Sequence, residues 1–210
     1  MKSATVTYLR QENDRFTDVT DRSRTFLEAS GEPVEVQDAR AAWVLIARES
    51  LLRTAGTYNA YITYRDLAEE LQNKSGIRTK QLTHHWIGKV LGIVANECHR
   101  LSEPLLSSLC VQQNGSVGAG YGVALDATYG GPRPADLDVA AAEERLKCYR
   151  HFGAQIPADG GQPALTPLLA AMRNKKATTS RARPAIEEER GICPLCHVRL
   201  PSSGFCGSHE

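Results

Sequence analysis

Residues 79–101 read TKQLTHHWIGKVLGIVANECHRL, and the spacing of their apolar positions decides the fold. Leu82, Trp86, Ile87, Val90, Leu91, Val94, Cys98 and Leu101 form one continuous stripe at helical intervals. An α-helix turns about 100° per residue, so positions three and four apart share a side. The stretch predicts a long amphipathic helix with that stripe against a core. The opposite side carries Lys80, His84, His85, Lys89, Asn96 and Arg100. Gly88 and Gly92 lie toward this polar side. Each lowers helix stability by up to ~1 kcal/mol relative to Ala. Each also leaves little bulk, so another surface could approach closely.

Immediately upstream, residues 61–72 read YITYRDLAEELQ. Thr63 is positioned as a helix N-cap, with Asp66 three residues on. Leu67, Ala68 and Leu71 then face inward on a short helix. The loop NKSGIRT, residues 73–79, contains Gly76 as a turn residue. Further upstream, Ala39, Trp43, Ile46, Ala47 and Leu51 define a helix from Val36 to Arg53, with Gly56 just past its end.

Downstream, Pro104 ends the long helix. LLSSLCVQ, residues 105–112, reads as a strand. Asn114-Gly115 is a hairpin signal, because both central residues of a type I′ turn need positive φ. Residues 118–125, GAGYGVAL, place Tyr121, Val123 and Leu125 at alternating positions, as a returning strand would. Another helix is expected over 135–152, with Leu137, Ala141, Leu146 and Tyr149 among its apolar positions.

Helix 63–72, helix 79–101 and hairpin 105–125 have the order of a winged helix. The fold class expected is α+β: a mainly helical winged-helix core with a β-hairpin wing, over residues 35–153. In such folds the second helix of the pair often enters the DNA major groove and the wing touches phosphate. Arg78, Lys80, His84, His85 and Lys89 are the expected nucleic-acid contacts of this core.

ITYRDLAEEL, WIGKVLG and PLLSSLCVQQNGSVGAGYG together resemble the winged-helix half of the alkylguanine-DNA alkyltransferases and their non-catalytic relatives. The resemblance covers about residues 61–122 and implies a DNA-docking module. That family's nucleophilic cysteine sits in a Pro-Cys-His-Arg motif. Here Glu97-Cys98-His99-Arg100 lies inside the long helix, and Cys110 sits near the nucleophile position but is followed by Val111 and Gln112. Neither cysteine has the full motif in place. A reactive thiolate also needs a neighbouring base or helix end to lower its pKa. Both are read as packed cysteines, and the protein as non-enzymatic; a thiol alkyl acceptor is the remaining enzyme alternative.

The chain has 210 residues, a net charge of +1, 41% hydrophobic and 23% charged residues. That composition is ordinary for a globular protein, and any basic footprint has to be local. Residues 1–34 are sparse in apolar groups and read as a flexible or loosely docked arm. Residues 154–190 are rich in Ala, Pro, Gly and Thr. They read as a linker with one short helix in TPLLAAMRNK and a basic cluster at Arg173, Lys175, Lys176, Arg181 and Arg183. The carboxylates Asp66, Glu69, Glu70, Glu143 and Glu144 read as solvated faces. No segment has the roughly 18 apolar residues that would span a bilayer, and the start lacks the apolar core of a secretory signal. The expectation is a cytoplasmic protein with no membrane partner.

Residues 191–210 form the last module. From Cys193 onward they read CPLCHVRLPSSGFCGSHE, with the spacing C-x2-C-x9-C-x2-H. Cys193, Cys196, Cys206 and His209 suit one structural zinc ion, with His197 as the substitute fourth ligand. Such a short segment cannot bury a core of its own, so metal binding would supply its folding free energy. Four protein ligands close the site to substrate. The expected function is non-enzymatic binding of nucleic acid, with duplex DNA as the partner. The alternative is an adaptor whose winged helix and zinc tail dock onto a larger protein assembly.

Overall fold

The computed structural model describes residues 25–181, 192–197 and 206. The chain divides into two compact units, Met1–Ala171 and Met172–Glu210. In the first, three helices pack on one another: α1 (Val36–Ala55), α2 (Tyr64–Ser75) and α3 (Thr83–Leu101). Their shared core holds Trp43, Leu51, Leu67, Leu71, Ile87, Val90 and Val94. The Trp43 and Trp86 rings lie 4.3 Å apart between centroids. Trp43 Nε1 donates to Ser75 Oγ at 3.1 Å, which satisfies its only polar atom at the end of α2.

Local chemistry sets the ends of α2. Thr63 Oγ1 accepts from the Asp66 N–H at 3.2 Å and donates to the Asp66 carboxylate at 2.7 Å. Gly76 closes the helix in the left-handed region at φ 66°, where a side chain would be strained. A polar clamp holds α2 to α1: the Glu70 carboxylate takes hydrogen bonds from Ser50 at 2.8 Å and Arg53 at 2.7 Å. Partial burial works to raise the Glu70 pKa, but Arg53, Lys74 and Ser50 together outweigh it and hold the group at about 2.

Two small sheets tie the helices together. Strand β1 (Thr25–Leu27) pairs antiparallel with β3 (Ile77–Thr79). Strand β2 (Ile62–Thr63) pairs in parallel with β4 (Cys110–Val111). The end of the expected arm is therefore docked, with Thr25 buried and Phe26 bridged to Pro33.

The expected wing hairpin is corrected. Leu106–Leu109 is a short 3-10 helix, and only Cys110–Val111 is strand. A tight turn does form at Asn114-Gly115, with Gly115 N–H donating to Gln112 O at 2.9 Å. Beyond the turn the chain coils into a helix, α4 (Ala119–Tyr129), instead of returning as a strand. Tyr121 and Leu125 fit a four-residue helical spacing as well as an alternating one. Val123, which alternation would bury, is 63% exposed.

Helix α5 (Leu137–His151) starts at an Asp136 cap whose carboxylate accepts from the Asp138 and Val139 N–H groups. It packs on the 3-10 helix. The expected linker also begins inside the first unit. Arg145 donates to Ala164 O at 3.1 Å, Arg150 to Gly160 O at 2.6 Å, and Gln162 N–H to Tyr58 OH at 3.0 Å. Thr166 is buried and donates to Gly115 O at 2.9 Å. Helix α6 (Pro167–Arg181) extends past the short helix expected there and carries Arg173, Lys175 and Lys176. Among the described residues, no helix is long and apolar enough to cross a membrane.

Candidate nucleic-acid interface and metal centre

Helix α3 buries Trp86, Ile87, Val90, Leu91, Val94, Ala95 and Cys98. Its open side carries His84, His85, Gly88, Lys89, Asn96, His99 and Arg100, all exposed, with Gly92 half-exposed. At 100° per residue these positions fall within an arc of about 160°. No carboxylate falls in that arc. Glu97, beside it, is half-buried and faces Arg48 at 3.9 Å and Arg100 at 4.0 Å. The N-cap position, Leu82, offers no side-chain hydrogen bond, and the first turn contains no acidic residue. The positive end of the helix dipole therefore adds to the cationic character there.

The residues expected to bind nucleic acid are distributed unequally. His84, His85 and Lys89 share the open side of α3, with the two histidine rings 4.1 Å apart between centroids. Lys80 is exposed just before the helix, its Nζ 5.8 Å from the centre of the Phe26 ring. Arg78 sits in β3 and is ion-paired with Glu28 at 2.9 Å, so its charge is already partnered. Arg173, Lys175 and Lys176 belong to α6 in the second unit, and the backbone of Arg181 ends that helix. Arg183 lies outside the described residues. His99 was not expected as a contact, although its position three residues beyond Asn96 placed it on the polar side.

In the second unit the Sγ atoms of Cys193, Cys196 and Cys206 all lie within 4.8 Å of one another, and those of Cys196 and Cys206 are 3.5 Å apart. Thiolates sharing a tetrahedral ion at Zn–S ~2.3 Å stand about 3.8 Å apart, so the three sulfurs could hold one metal ion. The turn that brings two of them together is tight. His197 N–H donates to Cys193 O at 2.9 Å, with His197 in the left-handed region at φ 55°. Backbone N–H groups of Cys196 and Leu195 point at the Cys193 sulfur and bring its thiol down to about 7. A thiolate is the form a metal takes. His197 is exposed and does not join the sulfur cluster. His209 lies outside the described residues.

The remaining cysteines have the opposite environment. Cys98, Cys110 and Cys148 are fully buried. Burial pushes the Cys98 thiol up and the Cys110 thiol well up, and drives Cys148 to about 12. Neither Cys98 nor Cys110 is presented to a substrate.

Glu144 and its neighbours are a second correction. Glu144 and Arg145 are buried, at 2% and 4% exposure, where solvated carboxylates were expected at Glu143 and Glu144. Glu144 accepts from the Leu105 N–H at 2.9 Å and from the Tyr129 hydroxyl. Arg145 donates to Ser108 O at 3.1 Å. The spacing Ala141, Glu144, Cys148 carries the signal, since it puts the carboxylate on the apolar side of α5. Comparison with protein-family models, curated proteins and solved structures finds no match to this chain.

Proposed function

We propose that the protein is a non-enzymatic DNA-binding protein in which α2 and α3 act as a helix-turn-helix pair and α3 contacts the duplex. The observation that carries this reading is the open side of α3, with its cations and no carboxylate. A helix about 10–12 Å across matches a major groove about 12 Å wide. Lys80, His84, His85, Lys89 and Arg100 would meet phosphates or base edges, and the basic residues of α6 would add phosphate contacts. The tail would hold a structural zinc ion through Cys193, Cys196, Cys206 and His209. That ion would fold the segment as a second contact and supply no chemistry.

The test is an anisotropy titration of the full chain on a short duplex across a salt series. Binding is expected at low salt and weakens as salt rises. Lys89→Ala should reduce the slope of log K against log salt by ~1. Absence of binding at low salt would sink the reading. An adaptor role is the second reading. It is supported by Ile192 and Leu195, which are 60% and 74% exposed beside the metal ligands. Capture of a protein partner that survives nuclease treatment and is lost in Leu195→Asp would favour it.

A further inference from the structure

Asn96 stands exposed in the interior of α3, and its side-chain amide forms no hydrogen bond with any described residue. Asparagine is a poor helix former because its amide competes for the backbone. It caps nothing here. The fold gives no reason for it. One turn before it lies Gly92, and one turn before that Gly88; one turn after it lies Arg100, with His99 alongside. A Cβ built at either glycine would meet nothing within 4 Å among the described residues.

We propose that Asn96 is the specificity-determining residue of the α3 interface and reads an adenine on its major-groove edge. The inference rests on the DNA reading above. A carboxamide offers one acceptor and one donor side by side, which matches the adenine N6 donor and N7 acceptor. Guanine shows two acceptors on that edge and suits Arg or Lys instead. Asparagine is short, so it reaches a base only where the backbone comes close to the groove floor. Gly88 and Gly92 remove the bulk that would hold the backbone away. His99 and Arg100, on the next turn, are placed to hold the flanking phosphates. The minor groove is excluded as the site, because it is about 6 Å wide and shows only acceptors at an A·T pair.

The experiment selects from short duplexes with a randomised centre, using the full chain as wild type, Asn96→Ala and Lys89→Ala. Wild type is expected to enrich A·T at one position. Asn96→Ala should lose enrichment at that position alone and keep its affinity for the unselected pool. Lys89→Ala should weaken binding to all sequences alike. Replacing the enriched adenine with 7-deazaadenine should weaken wild type about tenfold and leave Asn96→Ala unchanged. A thermal melt of Asn96→Ala at or above wild type excludes misfolding. Unchanged enrichment in Asn96→Ala, or wild-type binding without any enrichment, overturns the Asn96 assignment and leaves DNA binding standing. No wild-type binding to the pool overturns both.

Discussion

Glu144 shows how much one side chain decides. Its carboxylate lies in the core, takes the Leu105 N–H and the Tyr129 hydroxyl on one oxygen, and meets Lys147 Nζ at 2.9 Å on the other. Leu105 is where the chain leaves α3 for the 3-10 helix, so the carboxylate fixes a buried amide that no regular element pairs. Lys147 is largely exposed and adds little. Removing the carboxylate leaves a buried donor without a partner. Glu144→Ala is therefore expected to lose about 3 kcal/mol in urea unfolding. Glu144→Gln, which keeps an acceptor for Leu105, should lose less. An alanine variant as stable as wild type would mean that the network contributes nothing. The sequence concealed this residue because Glu143-Glu144 looks like a solvent-facing pair. Burial of one of them depends on what α5 packs against.

At the scale of elements, α3 was the most legible part of the chain. Its apolar stripe has only one periodic reading over so many turns, and the buried set follows it from Trp86 to Cys98. The glycines on its other side pack against none of the described residues, since an added Cβ meets nothing within 4 Å among them. Gly88→Ala and Gly92→Ala should each raise stability by up to ~1 kcal/mol. On the proposed DNA reading, each should also weaken binding, because the methyl group would stand between backbone and groove. Thermal melts and titrations of the same two proteins test this, and a rise in both stability and affinity would remove the close-approach argument. The segment 105–125 was less legible. It is short, and Tyr121 and Leu125 satisfy either period. Its one true strand, Cys110–Val111, pairs with Ile62–Thr63 far upstream, and the Tyr64 hydroxyl takes the Gly118 N–H at 2.9 Å. A pairing across that separation leaves no local pattern, and a Cβ at Gly118 would lie 2.6 Å from that hydroxyl, so a larger residue there requires the Tyr64 ring to shift.

At the scale of the whole molecule, the two units are built differently. Met1–Ala171 has a buried apolar core, whereas Met172–Glu210 contains the sulfur cluster. Chelation is expected to abolish hydrogen-exchange protection around 192–197 and to leave the helical unit's melting temperature unchanged. A drop in that temperature would show that the metal supports both units. Bound metal should fall in Cys206→Ser and His209→Ala and persist in His197→Ala. The sequence by itself determined the three core helices and the cysteines that cluster in the tail. Helical periodicity and C-x2-C spacing are local properties, and each fits one geometry. Only the tertiary structure decided that residues 119–129 coil into a helix, that Glu144 is buried, and that 154–166 are docked. Those outcomes depend on partners distant along the chain, which no local spacing encodes.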